Sequence, residues 1–90
     1  MIDIQERVEE AKLYEFLKRV GEVASHDPHR FVPSGDLGVL MGLPYEDAFR
    51  ITRTLEERGL LRCAGELEPP HGPRVCVTRR GLGWLRERAA

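Results

Sequence analysis

A chain of 90 residues supports one hydrophobic core and not two. Its composition, 41% hydrophobic and 32% charged, is that of a globular domain and excludes a disordered or membrane-embedded chain. The net charge of −1 excludes the strongly basic balance by which many small nucleic-acid-binding domains announce themselves.

The charge is unevenly spread: residues 1–30 and 31–59 each carry −2, and residues 60–90 carry +3. The longest uncharged stretch, Leu37 to Tyr45, is nine residues, far short of a bilayer span. The N-terminus, Met-Ile-Asp-Ile-Gln-Glu-Arg, has acids where an export signal needs a basic start and an apolar run. A single domain over residues 1–90 in the cytoplasm is expected, with Cys63 and Cys76 as free thiols.

Residues 2–24 have a helical pattern, with no proline and no glycine before Gly21. Leu13, Phe16, Leu17, Val20 and Ala24 share one face, which the core is expected to cover. At ~100° per residue, Ile4, Val8 and Ala11 fall on the opposite side. There the second half of the helix carries Glu15, Arg19 and Glu22. That short apolar stripe needs a partner, and a second subunit is the simplest supplier, so Ile4, Val8 and Ala11 are the expected dimer interface.

Residues 25–33 form a polar link containing two prolines. Ser34 has the chemistry of an N-cap for a short helix over 35–41, with Leu37, Leu40 and Met41 facing in and Gly42 ending it in a left-handed turn. Pro44 opens a third helix, whose first turn holds Glu46 and Asp47, as the helix dipole favours. Ala48, Ile51 and Leu55 are its inward positions, and Gly59 closes it. Residues 60–67 and 74–78 have strand character and are joined by Glu68-Pro69-Pro70-His71-Gly72-Pro73. Residues 81–90 make a last short helix, with Leu82 and Leu85 apolar and Trp84 beside them. Tyr14 and Trp84 are expected in the core or at a subunit interface.

Chemistry-bearing clusters are few. His26-Asp27-Pro28-His29 has donors for a divalent metal but the spacing of a solvated loop. Cys63 and Cys76 face each other across a hairpin if its register allows, with His71 at the tip, although two half-buried strand residues explain them as well. There is no nucleophile–base pattern, no glycine-rich phosphate loop and no zinc motif, so no enzyme, cofactor or metal is expected.

The order of helix, short helix, tight Gly42-Leu43-Pro44 turn, longer helix and hairpin resembles a winged helix-turn-helix domain, which is α+β and mainly α. Asp36-Leu37 followed by Met41-Gly42-Leu43 is similar to the family's turn. Leu55-Glu56-Glu57-Arg58-Gly59-Leu60-Leu61-Arg62 is similar to its recognition-helix ending and first wing strand. Val75-Cys76-Val77-Thr78-Arg79-Arg80-Gly81 resembles the second wing strand and the Thr-x-x-Gly helix start of MarR-like and PadR-like transcriptional regulators. The resemblance implies a three-helix core, a two-stranded wing, a short C-terminal helix and a third helix lying in the DNA major groove.

With Ile51 inward, the outward residues of that helix are Glu46, Phe49, Arg50, Arg53 and Glu57. Arg50 and Arg53 suit guanine edges or phosphates, and Phe49 suits a thymine methyl. The competing assignment pairs Glu46 with Arg50 and Arg53 with Glu57, each four apart. Arg74 on the wing and Arg79 and Arg80 after it are the expected phosphate contacts.

Two uses of the fold follow. In the first, a homodimeric regulator binds double-stranded DNA through Phe49, Arg50, Arg53, Arg74, Arg79 and Arg80. In the second, a protein-interaction module presents Phe49 to a protein partner. The near-zero charge, the acidic start of the third helix and a hairpin without the Asp-x-Arg pattern of MarR-like wings favour the second.

Overall fold

The computed structural model describes residues 9–65 and 71–89, which fold as α1 (Glu10–Val23), β1 (Val32–Pro33), α2 (Ser34–Leu40), α3 (Tyr45–Glu57), β2 (Leu61–Ala64), β3 (Arg74–Val77) and α4 (Arg79–Ala89). The class is α+β, mainly helical. No helix among these residues is long and apolar enough to cross a membrane.

The face expected of α1 is the one that folds inward: Leu13, Phe16, Leu17, Val20 and Ala24 are fully buried. They meet Ala48, Ile51 and Leu55 of α3 and Val75 and Val77 of β3 in one continuous core. Thr52 completes the inward side of α3, its buried hydroxyl without a hydrogen-bond partner among the described residues. Of the expected helix over 2–24, α1 covers Glu10–Val23 with Glu9 as its N-cap, and residues 2–8 lie outside the described residues. Ile4 and Val8 of the expected dimer stripe lie outside the described residues. Ala11, its third member, is exposed on the first turn of α1.

The wing is the main correction. The sheet has three antiparallel strands in the order β1-β3-β2, where two were expected. Val32 and Pro33, read as the end of a polar link, pair with Val75 and Arg74 and form an edge. A proline is tolerated there because an edge strand leaves one row of groups unpaired. β3 is therefore central, and Val75, Cys76 and Val77 are all fully buried. Val75 and Val77 face the helices. Cys76 faces the link, whose Pro28 carbonyl accepts hydrogen bonds from the Cys76 thiol and from Arg62 Nη2 at 3.0 Å. The first hairpin strand ends at Ala64, ahead of the expected residue 67, and Gly65 follows with a positive φ.

Two expectations about α2 also change. Its N-cap is Pro33, while Ser34 is the first helical residue and is buried. Leu40, expected to face in, is 69% exposed. The cause is a close crossing of α2 and α3: a Cβ on Gly38 would sit 2.7 Å from that of Ala48. Gly38 and Leu37 thus take the inward positions, and Leu40 rolls out to solvent. The turn itself is as expected, with Gly42 at φ +71° and Gly59 at φ +76° beyond α3.

Thr78 starts α4. Its hydroxyl accepts from the Gly81 N–H at 2.9 Å and donates to the Gly59 carbonyl at 2.7 Å, and its carbonyl accepts from the Leu82 N–H. The helix thus begins two residues before the expected Gly81. At its other end, Glu10 of α1 holds Arg58 at 2.6 Å and Arg88 at 3.5 Å, tying α1 to α4 and to the turn after α3. The Arg58 guanidinium keeps the Glu10 carboxyl below the usual carboxylate range.

A Cβ on Gly81 would strike the Leu60 carbonyl and come within 2.9 Å of Val77 Cγ2, whereas one on Gly83 meets nothing within 4 Å. Gly81→Ala is expected to lower stability by about 1–3 kcal/mol through overpacking. Gly83→Ala is expected to raise it by up to about 1 kcal/mol through helix propensity. Urea unfolding midpoints check both, and matching midpoints for the two variants would contradict the close packing of α4 on Leu60.

Candidate nucleic-acid interface

The outward face of α3 is built as its periodicity implies: Glu46, Phe49, Arg50, Arg53 and Glu57 are all exposed. Phe49 is 38% exposed and lies parallel to Tyr45, with ring centroids 6.3 Å apart and planes 19° from coincident. The Arg53 guanidinium lies 5.8 Å from the Phe49 ring centroid. Tyr45, Phe49 and Arg53 recur every four residues and form one ladder along the helix. Tyr45 had no role in the sequence reading. The signal that could have found it is that same spacing, four residues before Phe49.

Tyr45 also supports the wing. A Cβ on Gly72 would meet Tyr45 Cε1 at 3.4 Å and the Ser34 hydroxyl at 2.9 Å. The return limb of the hairpin is fastened to the start of α2 by Gly35 N–H to the His71 carbonyl at 2.6 Å and Ser34 N–H to the Pro73 carbonyl at 3.0 Å. His71 Nδ1 lies 2.9 Å from Asp36 Oδ1. So His71 is spent on α2 and does not join the cysteines.

The arginines differ in what holds them. Arg58 and Arg88 hold Glu10, and Arg62 holds the Pro28 carbonyl. Arg50 reaches Asp47 at 3.9 Å, a long exposed pair of little energetic worth. The expected pairs of Glu46 with Arg50 and of Arg53 with Glu57 do not form. Arg53, Arg74, Arg79 and Arg80 have no carboxylate partner among the described residues, and all four are exposed. Arg80 lies over Gly59, where its charge complements the carbonyl end of α3. Arg74 stands at the start of β3 beside Gly65.

The cysteines do not form a pair. Cys63 is registered opposite Val75 and Cys76 opposite Arg62, and successive strand residues point to opposite faces. Both are free thiols. Burial, with the Glu56 carboxylate nearby, pushes the Cys63 thiol up to about 11. In the loop after α1, the Asp27 carboxylate accepts the His29 N–H at 2.9 Å, as a turn residue does. Among the described residues no cluster of three or more His, Cys, Asp or Glu side chains forms a metal site.

The chain matches no family model and no curated protein. Among solved structures it is similar to a probable transcriptional regulator from Pseudomonas aeruginosa, with a TM-score of 0.66 and 20% identity over 83% of this chain. The chain spans about half of that protein's length, 52%. At such identity the likeness is one of fold.

A thiol held this far protonated is a poor nucleophile. In the native protein at pH 7.5, Cys63 is expected to react with iodoacetamide at least about tenfold more slowly than in urea. Mild oxidation is expected to leave no Cys63–Cys76 bridge in the mass spectrum. Rapid native alkylation, or such a bridge, would contradict the opposed placement of the two thiols.

Proposed function

We propose that this chain is a winged helix domain of a transcriptional regulator that binds double-stranded DNA as a homodimer. α3 enters the major groove, Phe49, Arg50 and Arg53 meet base edges or phosphates, and Arg74, Arg79 and Arg80 hold the backbone. The observation that carries this reading is that Arg53, Arg74, Arg79 and Arg80 are exposed without a carboxylate partner among the described residues, while Arg58, Arg62 and Arg88 are held by internal carboxylates and carbonyls. The likeness of fold to a probable regulator supports it. A near-neutral monomer gains most from a dimer, which doubles the phosphate contacts. Ile4, Val8 and Ala11 remain the proposed seam of that dimer, and the cytoplasm its place.

A second reading, a protein-interaction module, is favoured by one specific feature. Val39 and Leu40 on α2 are 68% and 69% exposed, and the Phe49–Tyr45 stack adds apolar surface on α3.

Fluorescence anisotropy of a mixed-sequence duplex at low and moderate salt separates the two. DNA binding falls steeply as salt rises. Arg53→Ala is expected to weaken it by about tenfold, on the order of 1–3 kcal/mol. Affinity unchanged in Arg53→Ala removes α3 as the reader, and no binding at low salt with retained capture through Phe49 favours the protein module.

The dimer has its own check. Light scattering is expected to give twice the chain mass for the protein and the chain mass for Val8→Glu. A mass unaltered by that charge means that the stripe is not the seam.

A further inference from the structure

The ladder on α3 presents two chemistries side by side. Tyr45, Phe49 and Arg53 recur every four residues, so they leave the helix on one side at intervals of about 6 Å. Tyr45 is half-buried and lies against Gly72 of the hairpin, and the Phe49 ring stacks on it with planes 19° apart. Phe49 is thus braced on one side while 38% of it stays exposed. The result is an apolar surface with a fixed position.

Arg53 differs from Arg50 in what its charge meets. Arg50 faces Asp47 at 3.9 Å, one turn back on its own helix. Arg53 has no carboxylate partner among the described residues, and its guanidinium lies 5.8 Å from the Phe49 ring centroid. The attraction between a cation and a ring face uses none of the five N–H donors of arginine. It also removes part of the side-chain freedom that arginine otherwise loses on binding. An unspent donor fork is therefore held beside the braced ring.

Each of these surfaces has its own match on a base edge in the major groove. Guanine O6 and N7 accept a bidentate arginine, and the thymine C5-methyl packs on an apolar side chain. Base pairs rise by about 3.4 Å, so one interval of the ladder spans at most about two of them.

We propose that Phe49 and Arg53 read a thymine and a nearby guanine as one unit. Phe49 covers the thymine methyl and, from the same place, holds Arg53 in position for the guanine. The proposal rests on the DNA-binding reading above. It adds to that reading the base chemistry of the site and the dependence of one contact on the other.

Duplexes selected by the full chain from a random library supply the sites, and fluorescence anisotropy gives the affinity of each. The sites are expected to share a thymine within about two base pairs of a guanine. Uracil at that thymine removes only the methyl and is expected to weaken binding by about fourfold. Replacing the guanine by 7-deazaguanine removes the N7 acceptor and is expected to weaken binding by about tenfold. Phe49→Ala is expected to abolish the uracil penalty and also to shrink the deazaguanine penalty, because Arg53 has lost its support. Arg53→Lys keeps the charge, and with it the salt dependence, but is expected to lose the deazaguanine penalty. Both variants change exposed side chains, and unaltered melting temperatures separate these losses from unfolding. Uracil bound as tightly as thymine, sites without the thymine–guanine pair, or a full deazaguanine penalty in Phe49→Ala overturns the proposal and leaves the DNA-binding reading standing. No binding to any duplex at low salt overturns both.

Discussion

Four elements meet at Thr78, and the rest of the structure hangs from that joint. The Thr78 hydroxyl donates to the Gly59 carbonyl in the turn after α3 and accepts from an amide of the first turn of α4, while its own N–H reaches the Leu60 carbonyl. One residue thus satisfies an orphan amide at the start of α4 and ties it to the turn that leaves α3. Gly81 lets the two approach, because its missing Cβ is the space into which the Leu60 carbonyl fits. The direction of α3, the root of the hairpin and the path of α4 across α1 are therefore set together. A single side chain added at Gly81 disturbs all three.

This joint explains how much was legible in the sequence. The Thr-x-x-Gly pattern is local, so it can be read without knowing what packs nearby. The same is true of the inward positions of α1 and α3, where apolar spacing alone identifies buried side chains such as Leu13, Phe16, Ile51 and Leu55. What escaped reading depends on contacts between distant segments. Two residues, one of them proline, carry no strand signal, and Val32-Pro33 is a strand only because Val75 and Arg74 lie alongside. Leu40 is apolar and correctly spaced for a core, yet the roll of α2 is decided by the contact of Gly38 with Ala48. Whether the two cysteines meet depends on the register of the hairpin, which places them on opposite faces.

The near-zero net charge hid the surface in a similar way. Counting charges treats every arginine alike, whereas the fold spends some and leaves others. Glu10 holds Arg58 and Arg88 at once, and Arg62 serves the Pro28 carbonyl. Much of the remaining acid lies on α1 and at the two ends of α3, where Glu46 and Glu57 flank the aromatic ladder. A chain of net charge −1 can in this way present exposed guanidinium groups from α3, the hairpin and the start of α4. The distribution, and not the sum, decides what a phosphate backbone would meet.

The Tyr45 ring links this surface to the wing. It stacks on Phe49 on one side and lies against Gly72 on the other, next to the bonds that fasten His71 and Pro73 to the start of α2. The exposed ladder and the return limb of the hairpin therefore share one support, and neither can shift far without the other. That coupling bears on the choice between the two uses of the surface. A protein partner needs only the apolar patch on α2 and α3, whose use does not depend on where the hairpin lies. A duplex needs α3 and the hairpin at a fixed separation, because groove and backbone are themselves rigidly spaced. An aromatic side chain that touches both α3 and the return limb fits the groove-reading use proposed above, in which the two act at a fixed separation.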